Sequence, residues 1–292
     1  VSKATLQVVM TFNDYIDEHD DVRGTLTIQT QFDMKEIKGS TVQEIKFPIR
    51  NGVHTITVTF KPKTTSVIEK KGVPQGYNTK SIDWTIDVNK SLQTVDNAAV
   101  IDPIPDGLKL VDNSIEVRHL NVNLDGTTTV GEAVYSEDYA VVPTDSDKPF
   151  KILFGSINSA YQIKYSTQIT DTEADKFTNI ATLTGDYIDN KKAEASVTVN
   201  RGKLLEKKAT DYDRNSQTIA WEIKYNYGEK NIAKANAKLV DLLGDNQKLV
   251  DGTLEVYPVT LDSSGEHEGA KLNTPGDYTL TASAGKFDLE FA

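Results

Sequence analysis

The chain has 292 residues, of which 38% are hydrophobic and 26% charged, and its formal net charge is −11. This acidic balance argues against nucleic acid or an anionic membrane as a partner, because both bind basic surfaces. No window approaches the roughly 18 apolar residues that a membrane-spanning helix needs, so we expect no membrane insertion. Neither a signal peptide nor a sorting tail is visible, and we expect the sequence to be a portion of a longer protein.

The absence of cysteine is also informative. A secreted eukaryotic β-protein of this size usually holds its sheets together with disulfides. Here something other than disulfides must hold the sheets together, or the sheets have no covalent link. A cysteine-free, acidic composition rich in Thr, Asn, Asp and Lys is typical of proteins on the outside of a bacterium.

Residues 1–65 are predicted to be the later half of an Ig-like β-sandwich module. Residues 6–12 and 24–30 parallel residues 150–154 and 160–167 further along the chain.

A strand is predicted at Thr55–Phe60, close to the end of this first segment. Its alternation places Ile56, Val58 and Phe60 on one face and three threonines on the other, as a half-buried strand requires.

Residues 66–201 are predicted to be a complete module of the same class. Apolar side chains alternate with polar ones in several short runs. These runs are Ile82/Trp84/Ile86/Val88, Ile115/Val117, Tyr161/Ile163/Tyr165 and Ala195/Val197/Val199. One segment, Thr170–Phe177, predicts a helix, since it has a capping residue, early acidic residues and a basic residue near its end.

Residues 202–292 are predicted to be the first half of a homologous module. The run Ile219/Trp221/Ile223/Tyr225 alternates in the same way, and residues 285–291 match residues 149–154 of the complete module. Short strands, frequent turn signals and almost no helix predict an all-β fold of tandem Ig-like antiparallel β-sandwiches, one complete and two partial. The linkers at 61–66 and 200–203 are short, which favours stacked, semi-rigid modules.

The modules repeat a lysine, a tryptophan and an aspartate in the same order. Fourteen positions separate the lysine from the tryptophan in both copies. The two sets are Lys70, Trp84 and Asp102 in the first copy, and Lys207, Trp221 and Asp241 in the second. A period of this length corresponds to a whole domain, not to a solenoid repeat. We expect both tryptophans to be core residues, not parts of a ligand cage.

Four motifs in order carry a family resemblance. They are Lys70-x-Gly, the Trp84-x-Ile-x-Val-Asn strand, Ile101-Asp-x-Ile-Pro-Asp-Gly and Phe177-Thr-Asn. Together they resemble the collagen-adhesin family of Gram-positive cell-wall-anchored surface proteins, above all its second ligand-binding module and related stalk domains. Residues 21–24 are similar to a segment late in the family's preceding module. The resemblance covers nearly the whole chain.

The resemblance implies an intramolecular isopeptide bond. Carried over by position, Lys70 is the nucleophile, Asp102 the acid/base helper and Asn179 the acceptor, with ammonia as the leaving group. Burial among apolar strands would keep the lysine amine neutral, and a desolvated, protonated carboxyl group would polarise the carboxamide. The bond would close a loop of 109 positions, which the chain-entropy model values at roughly 4–5 kcal/mol.

Less specific interpretations of the same residues stay open. A lysine that opens a strand is usually solvated, an aspartate before proline is usually a turn residue, and an asparagine after Phe-Thr often caps a loop. Lys71 is the rival nucleophile, but alternation points it to the opposite face from Lys70.

The second copy lacks an acceptor. Lys207 and Asp241 occupy the matching places, whereas Asn246 and Asn273 lie in turn contexts, and Ala209 replaces the glycine of Lys-x-Gly. We therefore predict that Lys207 is unlinked in this chain.

No other set of residues predicts a cofactor, a metal or an enzyme active site. The acidic run at 17–21 lacks the spacing and the glycine of an EF-hand loop, which favours a solvated turn. The four histidines, His19, His54, His119 and His267, lack pair spacing. We expect no cofactor and no reaction beyond the autocatalytic bond.

Two functions follow from the resemblance. The first is a cell-surface, cell-wall-anchored adhesin whose target is collagen or another host matrix protein. Family members clamp a rope-like ligand with two modules and a latch, but here Val199 runs straight into Lys203 and the next module. The alternative is therefore a stalk or pilus-like module with no ligand of its own. The partial modules also predict head-to-tail self-association.

Overall fold

The computed structural model describes residues 13–14, 18–19, 22–25, 27, 29, 39–49, 52–76, 78–143, 149–262 and 264–292. Residues 38–292 form one compact unit. Residues 6–12 and residues 26, 28 and 30, on which the predicted half-module at 1–65 depends, lie outside the described residues, as does Asp21. Apart from a 3-10 turn at Lys234–Asn236, the elements between residues 39 and 292, in the part that the structure describes, are antiparallel strands.

A two-stranded hairpin precedes the first complete module. It consists of β1 (Val42–Ile49) and β2 (Gly52–Thr59), paired from Val42↔Thr59 to Ile49↔Gly52. The predicted strand is therefore present, but its predicted burial holds only in part: Val58 and Phe60 are half-buried, whereas Ile56 is 43% exposed. No second sheet packs on this hairpin within the described residues, so its apolar face meets solvent.

The middle module is a sandwich of two antiparallel sheets, as predicted. Its strands are β3 (Ile68–Gln75), β4 (Ser81–Val88), β5 (Val95–Pro103), β6 (Leu108–Leu110), β7 (Glu116–Val122), β8 (Thr128–Ala133), β9 (Ala140–Pro143), β10 (Pro149–Ile157), β11 (Ala160–Ile169), β12 (Lys176–Thr184) and β13 (Lys191–Thr198). One sheet has the order β13-β12-β5-β10-β9, and the other has β3-β4-β11-β7-β8 with β6 beside β11.

The core lies between these two sheets, and its residues follow the predicted alternation. Ile82, Trp84, Ile86 and Val88 of β4 are fully buried. From the opposite sheet, Val100, Ile152 and Leu183 are buried to the same extent. The sequence alternation therefore identified both the fold class and the inward faces of this module.

The helix predicted at Thr170–Phe177 is wrong. Asp171 does cap a turn, because its carboxylate accepts the backbone N–H groups of Glu173 (2.8 Å) and Ala174 (3.2 Å). The chain then enters β12 at Lys176, and Phe177 pairs with Val197 and is buried. Sheet pairing and burial of Phe177 outweigh the local helix signal.

The last segment repeats the strand order of the first part of the middle module. Its strands are β14 (Leu205–Asp213), β15 (Thr218–Tyr225), β16 (Lys238–Leu242), β17 (Val259–Asp262), β18 (Gly265–Glu268), β19 (Tyr278–Ser283) and β20 (Lys286–Phe291). They pair as β14-β15, β16-β20-β19 and β17-β18. These pairs correspond to β3-β4, β5-β10-β9 and β7-β8.

The core role predicted for the second tryptophan is wrong. Trp221 is 44% exposed, whereas its counterpart Trp84 is fully buried. In residues 203–292, as far as the structure describes them, no strand occupies the places that β11, β12 and β13 take in the middle module. The inner face of β15 is therefore uncovered.

The junction between the middle and last segments is packed. The Gly202 N–H donates to Asn78 Oδ1 at 2.7 Å, and Glu229 accepts hydrogen bonds from both Asn78 and Lys80. Lys230 lies 3.0 Å from the carboxylate of Glu173. The two segments thus contact each other on both sides of the short linker.

Candidate cross-linking site

Four strands bring four polar side chains together inside the middle sandwich. Lys70 lies on β3 and Tyr165 on β11 in one sheet, while Asp102 lies on β5 and Asn179 on β12 in the other. Each is no more than 7% exposed. Because each side chain takes an inward position of its strand, the alternation that builds the core also builds this cluster.

The Tyr165 hydroxyl is the centre of the hydrogen-bond network. It donates to Asp102 Oδ2 at 2.6 Å, and it accepts from Lys70 Nζ at 2.8 Å and from Asn179 Nδ2 at 2.7 Å. Lys70 Nζ also bonds directly to Asp102 Oδ2. One hydroxyl therefore contacts the predicted nucleophile, helper and acceptor at the same time.

Aromatic rings surround the lysine amine. Lys70 Nζ lies 5.2 Å from the centre of the Trp84 ring and 5.1 Å from that of Tyr165. Phe150 meets the Tyr165 ring edge-on at 4.9 Å, and Trp84 Nε1 donates to Thr167 Oγ1 at 2.9 Å. These contacts fix both rings and exclude water from the amine.

Burial shifts the protonation of this cluster toward neutral forms. Desolvation lowers the pKa of Lys70 to about 8, although Asp102 opposes the shift. Desolvation raises the pKa of Asp102 against the opposing effect of Lys70, and it also raises the pKa of Tyr165. Asp102 Oδ1 and Asn179 Oδ1 are buried without a hydrogen-bond partner. A proton on the Asp102 carboxyl group would supply the donor that this pair of acceptors lacks.

The structure brings together the three residues predicted for the cross-link, Lys70, Asp102 and Asn179. The rival nucleophile Lys71 is exposed on the outer face of β3, as alternation required. Sequence reasoning missed the role of Tyr165. The available signal was its place as the third inward residue of the run Tyr161/Ile163/Tyr165, because such a position puts a hydroxyl group inside a core.

The second lysine–aspartate pair is also formed. Lys207 Nζ contacts both carboxylate oxygens of Asp241 at 2.7 Å and lies 4.6 Å from the centre of the Trp221 ring. The Lys207 side chain is 31% exposed and that of Asp241 10%. Asn246 and Asn273 lie in turns, as predicted. That Lys207 is unlinked stays a prediction.

The remaining candidate residues form no site. Within the described ranges, no group of His, Asp and Glu side chains could hold a metal ion, and most of the acidic run at 17–21 lies outside those ranges. His267 bonds to Ser264 and Asp262, and His119 packs against Tyr161. No helix in the described part of the chain is both long and apolar enough to cross a membrane.

Comparison with known proteins gives two family matches and several relatives. The family model described as collagen binding domain matches residues 65–194 and 204–292, which together make up most of the chain. A second model, described as bacterial Ig domain, matches residues 1–42. Serine-aspartate repeat-containing protein E of Staphylococcus aureus (strain MSSA476) is 26% identical over 194 residues, which is 58% of this chain. The matched region is 17% of that protein, so the chain spans only a small part of its curated relative.

Solved structures of low identity also match. The collagen-binding subdomain of the Enterococcus faecalis surface protein ACE has 17% identity and a TM-score of 0.37, and the match covers 47% of this chain and 99% of that one. The collagen adhesin CNA from S. aureus has 13% identity and a TM-score of 0.37, with 60% of this chain and 57% of that chain covered.

Proposed function

Because this chain belongs to the collagen binding domain family, we propose that it is part of a bacterial cell-surface adhesin whose β-sandwich modules bind collagen. The family match over residues 65–194 and 204–292 is the observation that carries this proposal. We further propose that an isopeptide bond between Lys70 and Asn179 stiffens the middle module. The protein is expected to be anchored to the cell wall and to turn over no external substrate.

The cross-linking step uses the residues of the buried cluster. The neutral amine of Lys70 attacks the side-chain carbonyl carbon of Asn179, while protonated Asp102 donates a hydrogen bond to the developing oxyanion. The new Nζ–C bond forms as the C–Nδ2 bond breaks. One amine proton passes to the departing nitrogen through Asp102, and ammonia leaves. Asp102 ends protonated, as it began, so atoms and charge balance.

The bond would join the first strand of one sheet to the other sheet. Lys70 lies on β3, and Asn179 lies on β12. The two residues are 109 positions apart. A force that pulls on the two ends of the module would therefore act on this covalent bond before it could separate the strands between Lys70 and Asn179. This is the structural task that disulfides perform in other secreted β-proteins.

Intact mass tests the bond. The wild-type chain should weigh about 17 Da less than its sequence, the mass of one ammonia. Asp102→Ala and Asn179→Ala should each restore the full mass expected for that variant. Lys71→Ala is the matched control and should keep the deficit, because Lys71 points away from the cluster. A full-mass wild-type chain would reject the cross-link.

A specific observation favours a second candidate function, a spacer that binds no ligand. Val199 continues through Gly202 into β14, and Gly202 is held by Asn78 at 2.7 Å, so the segment that follows Val199 is not free to act as a latch. Binding of the intact chain to collagen-coated surfaces discriminates the two functions. Saturable binding that soluble collagen competes away supports the adhesin, whereas no binding above an albumin-coated surface supports the spacer.

Head-to-tail association of copies is a further part of this proposal. One face of the β1–β2 hairpin exposes Phe47 and Ile56, and the last segment exposes Leu205 and Trp221. Two apolar faces of this kind favour contact between copies. Sedimentation should show concentration-dependent species larger than a monomer, and a pure monomer at high concentration would rule out this association.

A further inference from the structure

Two pairs of adjacent residues cross the junction between the middle module and the last segment. Arg201 and Gly202 form the first pair, in the linker, and Glu229 and Lys230 form the second, in the turn after β15. The pairs lie against each other, since a Cβ on Gly202 would be 2.4 Å from the carbonyl oxygen of Tyr227. In each pair one residue binds the turn between β3 and β4, and the other binds the loop between β11 and β12. We call these four residues the junction contacts.

The β3–β4 turn receives one contact from each pair. Asn78 Oδ1 accepts the Gly202 N–H at 2.7 Å, and the Asn78 carboxamide donates to the Glu229 carboxylate. Lys80 donates to the same carboxylate. The carbonyl oxygen of Lys80 also accepts the backbone N–H of Ile169 at 2.9 Å. The turn is thus bound to the end of β11 on one side and to the junction contacts on the other.

The β11–β12 loop is bound by two cationic side chains. Arg201 Nη2 donates to the first and last of the four carbonyl oxygens of residues 171–174, at 3.1 and 3.0 Å. Lys230 Nζ donates to the second and third, both at 3.2 Å, and lies 3.0 Å from the Glu173 carboxylate. Four successive carbonyl groups of the loop are therefore held by residues that lie beyond β13.

These two connections adjoin the strands that carry the cross-linking pair. The β3–β4 turn follows β3, on which Lys70 lies, and the loop leads into β12, on which Asn179 lies. Because β3 and β12 belong to opposite sheets, the junction contacts reach both sheets of the sandwich. Misplacement of reacting groups by about 1 Å can slow a reaction roughly 100-fold. Contacts that fix the ends of these two strands therefore affect how the amine meets the carboxamide.

The loop is packed tightly against the start of β12. The N–H groups of Thr170 and Asp171 both donate to the carbonyl oxygen of Gly107, at 2.8 and 3.1 Å. A Cβ on Gly107 would lie 2.7 Å from Asp171 Cβ and 3.1 Å from the Phe177 ring. Phe177 is buried two residues before Asn179. Since close-packed groups transmit strain, a displaced loop displaces Phe177, and with it the strand position of Asn179.

We propose that the junction contacts position Asn179 against Lys70, so that the middle module forms its cross-link faster once the β14–β15 hairpin and the turn after it have docked. Arg201 and Lys230 are positioning residues here, since they bind the loop and do not touch the reacting groups. This inference rests on the proposed Lys70–Asn179 bond and adds to it a dependence on the segment that follows. Covalent closure of the module is thereby coupled to docking of its neighbour.

The rate of ammonia loss after refolding tests this coupling. The intact chain is refolded from denaturant, and the fall of about 17 Da is followed with time. Lys230→Ala should slow the loss roughly 3- to 10-fold, as expected when hydrogen bonds of ordinary strength are removed. Lys230→Arg should restore most of the rate, because a guanidinium group can donate to the same carbonyl oxygens. Lys208→Ala is the matched control and should link at the wild-type rate, since Lys208 pairs with Glu222 within the last segment at 2.7 Å.

Amide hydrogen exchange distinguishes a displaced loop from a destabilised module. The Val199 N–H reports on the loop, because it donates to the carbonyl oxygen of Asp175 at 2.9 Å. In the unlinked Asn179→Ala chain, adding Lys230→Ala should raise exchange at Val199 roughly 3- to 10-fold. Exchange at Ile163, in the middle of β11 between β4 and β7, should not change, since Lys230 belongs to the last segment and its removal leaves the core of the middle module complete.

The combined results decide between positioning and a general effect on stability. Slow linking in Lys230→Ala that Lys230→Arg repairs, together with faster exchange at Val199 alone, supports the proposal. Linking at the wild-type rate in Lys230→Ala overturns it, as does slow linking that Lys230→Arg does not repair. Equal rises in exchange at Val199 and Ile163 would indicate general destabilisation and would also overturn it.

Failure of the cross-link itself gives a different result. Full mass in the wild-type chain rejects the Lys70–Asn179 bond, whatever the junction contacts do. Exchange at Val199 then judges the hold of the junction contacts on the loop. A rise in Lys230→Ala that is absent in Lys208→Ala supports that hold, and unchanged exchange in Lys230→Ala overturns it.

Discussion

Tyr165 shows how one hydroxyl group can organise a reactive site. It donates to Asp102 and accepts from Lys70 and Asn179, so it sets the distance between groups that come from three other strands. Its raised pKa keeps it protonated. In the proposed reaction Tyr165 is thus a positioning residue, beside Lys70 as the nucleophile, Asp102 as the acid and Asn179 as the acceptor.

Replacing Tyr165 by phenylalanine should therefore slow cross-linking. The change leaves the Asn179 carboxamide donor without its partner and removes one of the two hydrogen bonds of Lys70, a loss of about 1–3 kcal/mol. A loss of this size in the transition state lowers the rate roughly 5- to 150-fold. The measurement is intact mass against time after refolding of chain purified in denaturant. Tyr161→Phe, on the same strand but outside the network, should link at the wild-type rate. Equal rates for both variants would contradict the role of Tyr165.

The rate of cross-linking should depend on pH as a bell-shaped curve. The reactive form of the Lys70–Asp102 pair holds one proton, on the carboxyl group, beside a neutral amine. Burial lowers the pKa of Lys70 to about 8 and raises that of Asp102. The rate should rise as pH passes the raised pKa of Asp102, and should fall as the pair loses its last proton above about pH 8. Refolding across pH, followed by mass, measures it; a rate that still climbs beyond pH 9 would indicate a solvated lysine.

The three candidate residues were assigned from the family resemblance. The repeat supported Lys70 and Asp102 through their copies Lys207 and Asp241, whereas Asn179 has no copy and was assigned from the motif Phe177-Thr-Asn alone. The hydrogen bonds of Tyr165 could not be predicted, since they depend on which inward positions of two facing sheets meet. That register is set by pairing between distant strands, and the sequence pattern of one strand does not contain it.

At the scale of elements, the positions of the strands were easier to predict than the burial of their faces. Alternation located β2, β4, β11 and β15, because a side-chain period of two is a local property. It also predicted buried faces for β2 and β15, where Ile56 and Trp221 are 43% and 44% exposed. Burial requires a second sheet, and no local pattern reports whether one is present. The Thr170–Phe177 error has the same origin, since long-range pairing of β12 overrode a local cap.

Gly72 illustrates how closely the two sheets approach at β3. A Cβ at this position would lie 2.6 Å from Trp84 Cζ3 and even nearer to Val197 of β13. In the last segment Ala209 pairs with Trp221 at the corresponding place, and no described strand covers it as β13 covers Gly72. The glycine is thus required by the complete sandwich, and the alanine is accommodated by the open one.

Gly72→Ala should destabilise the middle module by about 1–3 kcal/mol, the usual cost of overpacking a closed core. Urea denaturation in the unlinked Asp102→Ala background measures the free energy of unfolding. Gly276→Ala is the control, because the nearest atom to its Cβ would be 3.9 Å away, and it should change the value little. A Gly72→Ala chain as stable as its parent would show that β13 can move away from Trp84.

At the scale of the whole described unit, the junction decides how modules follow one another. Asn78, in a left-handed conformation with φ of 56°, holds the Gly202 N–H and also bonds to Glu229. The ion pair between Lys80 and Glu229 is partly exposed and contributes little by itself. The backbone hydrogen bond to Asn78 is therefore the more informative contact to remove.

Asn78→Gly should loosen this junction without unfolding either segment. Glycine keeps the positive φ but removes the side chain, so the Gly202 amide should exchange roughly 2–10 times faster, as expected for one lost hydrogen bond. Amide hydrogen exchange at Gly202 measures the effect. Asn97→Gly, at a left-handed residue that bonds to Asp186, serves as control and should leave Gly202 unchanged. Unchanged exchange in both variants would mean that other contacts protect the linker.

The turn that follows β4 recurs after β15 with one consequential exchange. In both copies an asparagine side chain bridges the turn, Asn89 to Gln93 and Asn226 to Lys230. Besides the asparagine itself, each turn has a second left-handed residue, which is Leu92 in one copy and Glu229 in the other. Leu92 packs on its own module, whereas Glu229 reaches Asn78 of the preceding one. The residue at this position of the turn therefore either packs on its own module or binds the module before it. A single substitution here changes how firmly two neighbouring modules are joined and leaves the cores of both modules unchanged.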